Sequence, residues 1–143
     1  MKIAIASDHG GFELKGVVIE HLKKKGIETV DLGTNSTESV HYPEYGKKCG
    51  EYVAAGKADL GIVCCGTGIG ISIAANKVKG IRCANVTSTK MAELAKEHNH
   101  ANILGLGGRI LTNEEALACV DTWLSTEEGH GRHDERVAML NEM

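Results

Sequence analysis

Five short apolar runs, Lys2 to Ser7, Ile27 to Leu32, Asp59 to Cys65, Ile81 to Val86 and Asn102 to Leu106, alternate with stretches of helical spacing. After the first run Leu14, Val18 and Leu22 recur on one helical face, and Gly26 is placed to stop that helix. Pro43 suits the first turn of a second helix reaching about Ala55, with Gly56 beyond it. Ile71 to Val78 reads as a third helix ended by Gly80, and Ser88 to Asn99 as a fourth carrying Met91, Leu94 and Ala95. Thr112 and Glu115 have the spacing of a capping box and open a fifth, with Ala116, Val120 and Leu124. Strand-helix alternation of this kind predicts an α/β fold: a Rossmann-like three-layer α/β/α arrangement with a five-stranded parallel sheet. Asp59 to Cys65 is apolar without alternation, as expected of a central strand buried on both faces.

Composition agrees. At 143 residues the chain suits a single domain, 1–143, with a full core. Phe, Trp and Tyr make up only 3%, so that core must come from Ile, Val, Leu and Ala. The 16 Lys and Arg against 19 Asp and Glu leave a net charge of −3, which offers no basic surface for a nucleic-acid backbone. The apolar start of the chain is cut short at Asp8, too brief for a signal peptide or membrane span, so a cytoplasmic protein with no membrane partner is expected. Cys49, Cys64, Cys65, Cys83 and Cys119 are odd in number and lack C-x-x-C spacing, which predicts neither a disulfide framework nor a zinc site. Residues 125–143 form a charged tail beginning in a glycine-containing turn. With only Val137 and Leu140 apolar in its last part, this helical tail is expected to dock on its own domain or on a neighbouring subunit.

In an open parallel sheet, ligands bind beyond the carboxyl ends of the strands. Those ends carry Asp8-His9-Gly10-Gly11, Cys65-Gly66-Thr67-Gly68-Ile69-Gly70 and Gly107-Gly108-Arg109. The middle cluster lets backbone approach a ligand and aims free N–H groups at negative charge, but it lacks both the dinucleotide pattern and the P-loop lysine. Cys65 closes a strand just before a helix, where a thiolate is favoured, which makes it a candidate base or nucleophile; a buried inert thiol is the alternative, and Cys64 points to the opposite face. Asp8 could cap the following helix, and His9 could be an exposed histidine. His98 and His100 end the fourth helix, where the dipole favours imidazolium without any partner. His21 sits among solvated helix residues. Arg132 and Arg136, four apart, would share a helix face suited to phosphate, or to solvent.

Together these segments resemble the ribose-5-phosphate isomerase B family and its relatives acting on allose 6-phosphate and galactose 6-phosphate. The likeness runs through Ser7-Asp8-His9-Gly10-Gly11, Asp31-Leu32-Gly33-Thr34, Tyr42-Pro43, Cys65 to Lys77, Glu97-His98-Asn99, Ala101 to Leu104 and Gly131-Arg132-His133-Asp134-Glu135-Arg136-Val137. The resemblance implies metal-free, cofactor-free aldose-ketose isomerisation of a phosphorylated sugar through a cis-enediolate. It implies Cys65 as the base at C2 with Thr67 beside it, the backbone N–H groups of Gly66 to Gly70 around the enediolate oxygen, with Gly66, Gly68 and Gly70 binding substrate, and His98 as the ring-opening acid or base. Asp8, His9, Tyr42 and Asn99 are implied to bind the sugar, and Arg109, Arg132 and Arg136 the phosphate. Homodimers, or dimers of dimers, with sites shared across the interface are implied as well.

Two positions depart from the common pattern: His41 and His100 stand where ribose-type members often carry Asp. Ribose 5-phosphate is the expected substrate, with allose 6-phosphate or galactose 6-phosphate as alternatives. A non-catalytic phosphosugar sensor would need neither Cys65 nor His98. A redox role for Cys64 and Cys65 is disfavoured because adjacent cysteines pair only with strain. No His and carboxylate cluster at metal-ligand spacing is read in the chain.

Overall fold

The computed structural model describes all 143 residues. Its five strands are β1 (Lys2–Ser7), β2 (Glu28–Asp31), β3 (Leu60–Cys65), β4 (Cys83–Asn85) and β5 (Ile103–Gly107), and the helices are α1 (Phe12–Lys24), α2 (Tyr42–Ala54), α3 (Ile69–Asn76), α4 (Thr89–Asn99), α5 (Asn113–Ser125) and α6 (Arg132–Asn141). Every strand pair is parallel, and the order across the sheet is β2-β1-β3-β5-β4. The expected α/β fold with a five-stranded parallel sheet is therefore the one observed.

The period of two along each strand divides the core. Ile3, Ile5, Ile62, Cys64, Leu104 and Leu106 face Leu14, Val18 and Leu22 of α1, Ala92 and Ala95 of α4, and Ala116, Val120 and Trp123 of α5. Ala4, Ala6, Val63, Cys65 and Ile103 face Cys49 and Val53 of α2 and Ile71 and Ala75 of α3. Neighbouring Cys64 and Cys65 thus enter opposite cores. Trp123 is fully buried and donates its indole N–H to the Ala101 carbonyl at 3.1 Å, which satisfies the one polar atom it takes inside.

Element boundaries moved where side chains compete with the regular pattern. The helix expected from Ile71 begins at Ile69, because Gly68 at φ +80° turns the chain directly into it. It stops at Asn76, whose side chain accepts from Cys83 N and donates to Cys83 O, pinning the helix end to the start of β4. β4 is shorter than expected because Arg82 N is bonded to the Asn102 side chain instead of to the ladder. The capping box is present as predicted, with Thr112 and Glu115 exchanging bonds at 2.9 and 3.1 Å. His21 is more than a solvated residue: its Nε2 lies 2.7 Å from Asp121, which also meets Lys25 at 2.8 Å, linking α1 to α5.

Most of the tail forms α6, which packs on α4 through buried His133 and Val137. Arg82 reaches Asn141 at 2.6 Å and fastens the far end of α6 near the start of β4. Met139, Leu140 and Met143 stay exposed.

Candidate active site

β1 is followed in sequence by β2 on one side and flanked by β3 on the other, so the crevice between β1 and β3 at their carboxyl ends is a topological switch point. Asp8 leaves β1 there with its N–H on the Cys64 carbonyl, and its carboxylate accepts the Gly11 N–H at 3.1 Å. Its capping role is thus real and occupies one oxygen. His9 Nδ1 accepts the Val40 N–H at 3.1 Å, which leaves the other ring nitrogen available beside a cleft of about 320 Å³ that Gly10, Thr37 and Arg109 also line.

Cys65 ends β3 and is 5% exposed. Its sulfur accepts the Gly68 N–H at 3.1 Å and stands at the start of α3. Gly68 is tightly required: besides its positive φ, a Cβ there would lie 2.5 Å from Asn85 Oδ1 and 2.9 Å from the Leu106 backbone. Gly70 makes room for the Tyr42 ring, which a Cβ would meet at 2.6 Å. Thr67 Oγ1 accepts the Ile69 N–H at 3.1 Å. The N–H groups of Gly66, Thr67 and Gly70 have no acceptor within the chain. Donors of this kind, aligned at the head of a helix, are suited to an oxyanion.

The other cysteines are poor proton carriers. Burial pushes the Cys49 and Cys83 thiols up to about 12, and burial, with the neighbouring Cys65, raises Cys64 further.

Of the four arginines, Arg82 is committed to structure, donating to the Asn99, His100 and Gly80 carbonyls and to Asn141. The guanidinium groups of Arg109, Arg132 and Arg136 have no carboxylate within 4.0 Å and no hydrogen-bond acceptor in the chain. Arg109 lies against Gly10 and Gly66, directly over the glycine turns.

The remaining expected residues are elsewhere. A helix joining two parallel strands runs back across the sheet, so His98 and Asn99, at the end of α4, sit at the amino edge. Arg82, which precedes β4, grips the Asn99 carbonyl at 3.0 Å. His98 stacks on His133 of α6, with ring centroids 4.4 Å apart and planes 12° from parallel, which puts Arg132 and Arg136 on the same side. The expected site residues therefore do not all converge on one edge of one chain. They form two groups: Asp8, His9, Tyr42, Cys65, Gly66, Thr67, Gly68, Gly70 and Arg109 at the carboxyl edge, and His98, Asn99, Arg132 and Arg136 at the other.

Three residues near these groups escaped the sequence reading. Ser72, in α3, donates to the Gly68 carbonyl and holds the turn. Asn85 ends β4 with a buried Oδ1 that has no partner, beside Gly68. Its position at a strand's carboxyl end was the available signal. Lys15, 2% exposed, is neutralised by Asp31 at 2.6 Å under the crevice.

The family model for ribose/galactose isomerase matches residues 3–140, which includes both groups. The chain belongs to the ribose/galactose isomerase family. Among the family's proteins, ribose-5-phosphate isomerase B of Escherichia coli is 45% identical over 97% of this chain and 93% of its own length. The structure of Clostridium thermocellum ribose-5-phosphate isomerase B superposes with a TM-score of 0.98 at 54% identity, covering 99% of this chain and 96% of that one. Ribose-5-phosphate isomerase B from Mycoplasma genitalium, solved with bound ribulose 5-phosphate, gives 0.94 at 42% identity over 99% and 94% of the two chains. Isomerase family membership and the parallel α/β fold thus agree. No helix of this family member is long and apolar enough to cross a membrane.

Proposed function

We propose that the chain interconverts D-ribose 5-phosphate and D-ribulose 5-phosphate, and that residues 1–143 act as one sugar-phosphate isomerase domain. The observation that carries this reading is the Cys65 sulfur beside the unpaired N–H groups of Gly66, Thr67 and Gly70. Removing a proton next to a carbonyl requires a base and a fixed set of donors for the oxygen that becomes negative. The Cys65 thiolate takes the proton from C2 of the open aldose, and the electron pair moves through C1 to the carbonyl oxygen. The resulting cis-enediolate is held by the turn. Proton transfer from the C2 hydroxyl to the C1 oxygen, followed by return of the proton from Cys65 to C1, gives the ketose.

Asp8, His9 and Tyr42 lie where the sugar hydroxyls would be read. The unpaired guanidinium groups suit the phosphate, whose binding energy is available to hold the reacting carbons in place. His98, Asn99, Arg132 and Arg136 reach the Cys65 crevice when a second copy supplies them, with His98 as the ring-opening acid or base. A homodimer with two shared sites, or a pair of such dimers, follows. The exposed Ile69, Ile73, Met139, Leu140 and Met143 support a subunit contact that includes the 125–143 tail.

Steady-state kinetics on ribose 5-phosphate, allose 6-phosphate and galactose 6-phosphate tests the substrate. The highest kcat/KM is expected for ribose 5-phosphate, and binding without turnover across the set would favour a sensor. His98→Asn should slow a cyclic substrate more than one that cannot close a ring; equal loss on both would remove the ring-opening role.

A further inference from the structure

His100 stands at the end of α4 in a left-handed conformation, with φ and ψ both 45°. Its ring is only about one-tenth exposed, and both nitrogens face oxygen atoms. Nδ1 lies 3.0 Å from Glu128 Oε2, while Nε2 lies 2.6 Å from the Gly129 carbonyl and 3.9 Å from Asp134 Oδ1. His130 turns Nδ1 toward the same carboxylate, 3.1 and 3.3 Å from its two oxygens. The candidate donor atoms of His100, His130 and Asp134 all lie within 4.8 Å of one another. The sequence reading of no metal-ligand cluster missed this group, because His100 is far in sequence from the other two.

We propose that His100, His130 and Asp134 form a binding site for one divalent transition-metal ion of the zinc class. Tetrahedral zinc with bonds of about 2.0–2.1 Å needs donors roughly 3.3 Å apart, a spacing close to those already present. The adjustment falls on His130 and Asp134, both exposed. Two imidazoles and one carboxylate suit zinc, cobalt or nickel and disfavour magnesium and calcium. Glu128 supplies what a ligating imidazole requires at its far nitrogen, an acceptor for the Nδ1 proton. The ion would replace the Nε2 proton that now meets the Gly129 carbonyl at 2.6 Å, so that hydrogen bond is given up on binding. The fourth position is open to water. A bound ion would tie the start of α6 to the end of α4, beside the His98–His133 stack and Arg132, and stiffen the phosphate-binding group without entering the proton chemistry.

The test is titration of zinc into chelator-stripped full-length protein against a chromophoric chelator, with Co²⁺ spectroscopy in parallel. One ion per chain is expected, with no thiolate-to-cobalt charge-transfer absorption and a Tm that rises with zinc. His130→Ala and Asp134→Asn, both at exposed positions, should each weaken binding by at least about tenfold, whereas Cys65→Ala should not. Magnesium in large excess should not compete. Binding that survives the double variant, binding lost with Cys65→Ala, a thiolate band, or no binding at submillimolar zinc would each overturn the site. The cobalt spectrum of the unaltered protein keeps the test independent of how any variant folds.

Discussion

Cys65 and His98 stand at opposite ends of one parallel sheet. Cys65 is paired with Gly107 at the carboxyl end of β5, whereas His98 lies at the end of α4, before β5 begins at Ile103. A reaction that uses both needs two copies of the chain, and in a two-fold dimer each copy contributes Cys65 to one site and His98 to the other.

Subunit mixing checks this directly. Cys65→Ala and His98→Asn should each be nearly inactive alone. A mixture that exchanges subunits should recover about a quarter of the unaltered activity, because half of the dimers are mixed and each holds one intact site. No recovery after demonstrated exchange would place both residues in the same chain's site.

Thiol chemistry separates Cys65 from its neighbours. Burial keeps Cys49, Cys64 and Cys83 protonated well above neutral pH. Iodoacetamide at mildly alkaline pH should leave these three unmodified in the native protein, with loss of activity tracking alkylation of Cys65 in peptide mass spectra. Bound sugar phosphate should slow that alkylation.

Trp123 tests the core. Truncation to Ala should cost roughly 3–5 kcal/mol. Trp123→Phe keeps much of the apolar volume but removes the donor to the Ala101 carbonyl, and should still cost about 1–3 kcal/mol in urea unfolding. A cost for Phe near zero would mean that water replaces the indole N–H.

The Asp121 link between α1 and α5 predicts a pH dependence. Burial acts to raise the carboxyl, but the Lys25 and His21 contacts outweigh it and hold Asp121 below the usual aspartate range. The unfolded chain therefore takes up the proton more readily, so the stabilisation is full above an ordinary aspartate value of about 4 and is lost as pH falls through the lower folded value. Because Asp121 is substantially exposed, the effect should stay below about 1 kcal/mol and shrink with salt. Asp121→Asn should flatten this part of the acid limb of stability against pH.

Much of the fold was legible because its signals are local. The 2.0 and 3.6 periods, the Thr112–Glu115 box and the glycines behind the strands require no distant partner, and each appears close to where it was read. Cys65, Thr67 and the glycine turn were legible for the same reason: a strand's carboxyl end is a position along the chain. The place of His98 at the other edge follows from the rule that a helix joining two parallel strands runs back across the sheet.

By itself, the sequence determined the parallel α/β class, the opposite facing of Cys64 and Cys65, and a glycine turn following Cys65, all consequences of short-range periodicity and backbone sterics. Only the tertiary structure decided that α6 brings His133 and Arg132 beside His98, that Lys15 is neutralised by Asp31, and that His100 meets His130 and Asp134. Those meetings depend on the strand order and on how α6 folds back over α4, which packing between distant segments sets and no local pattern encodes.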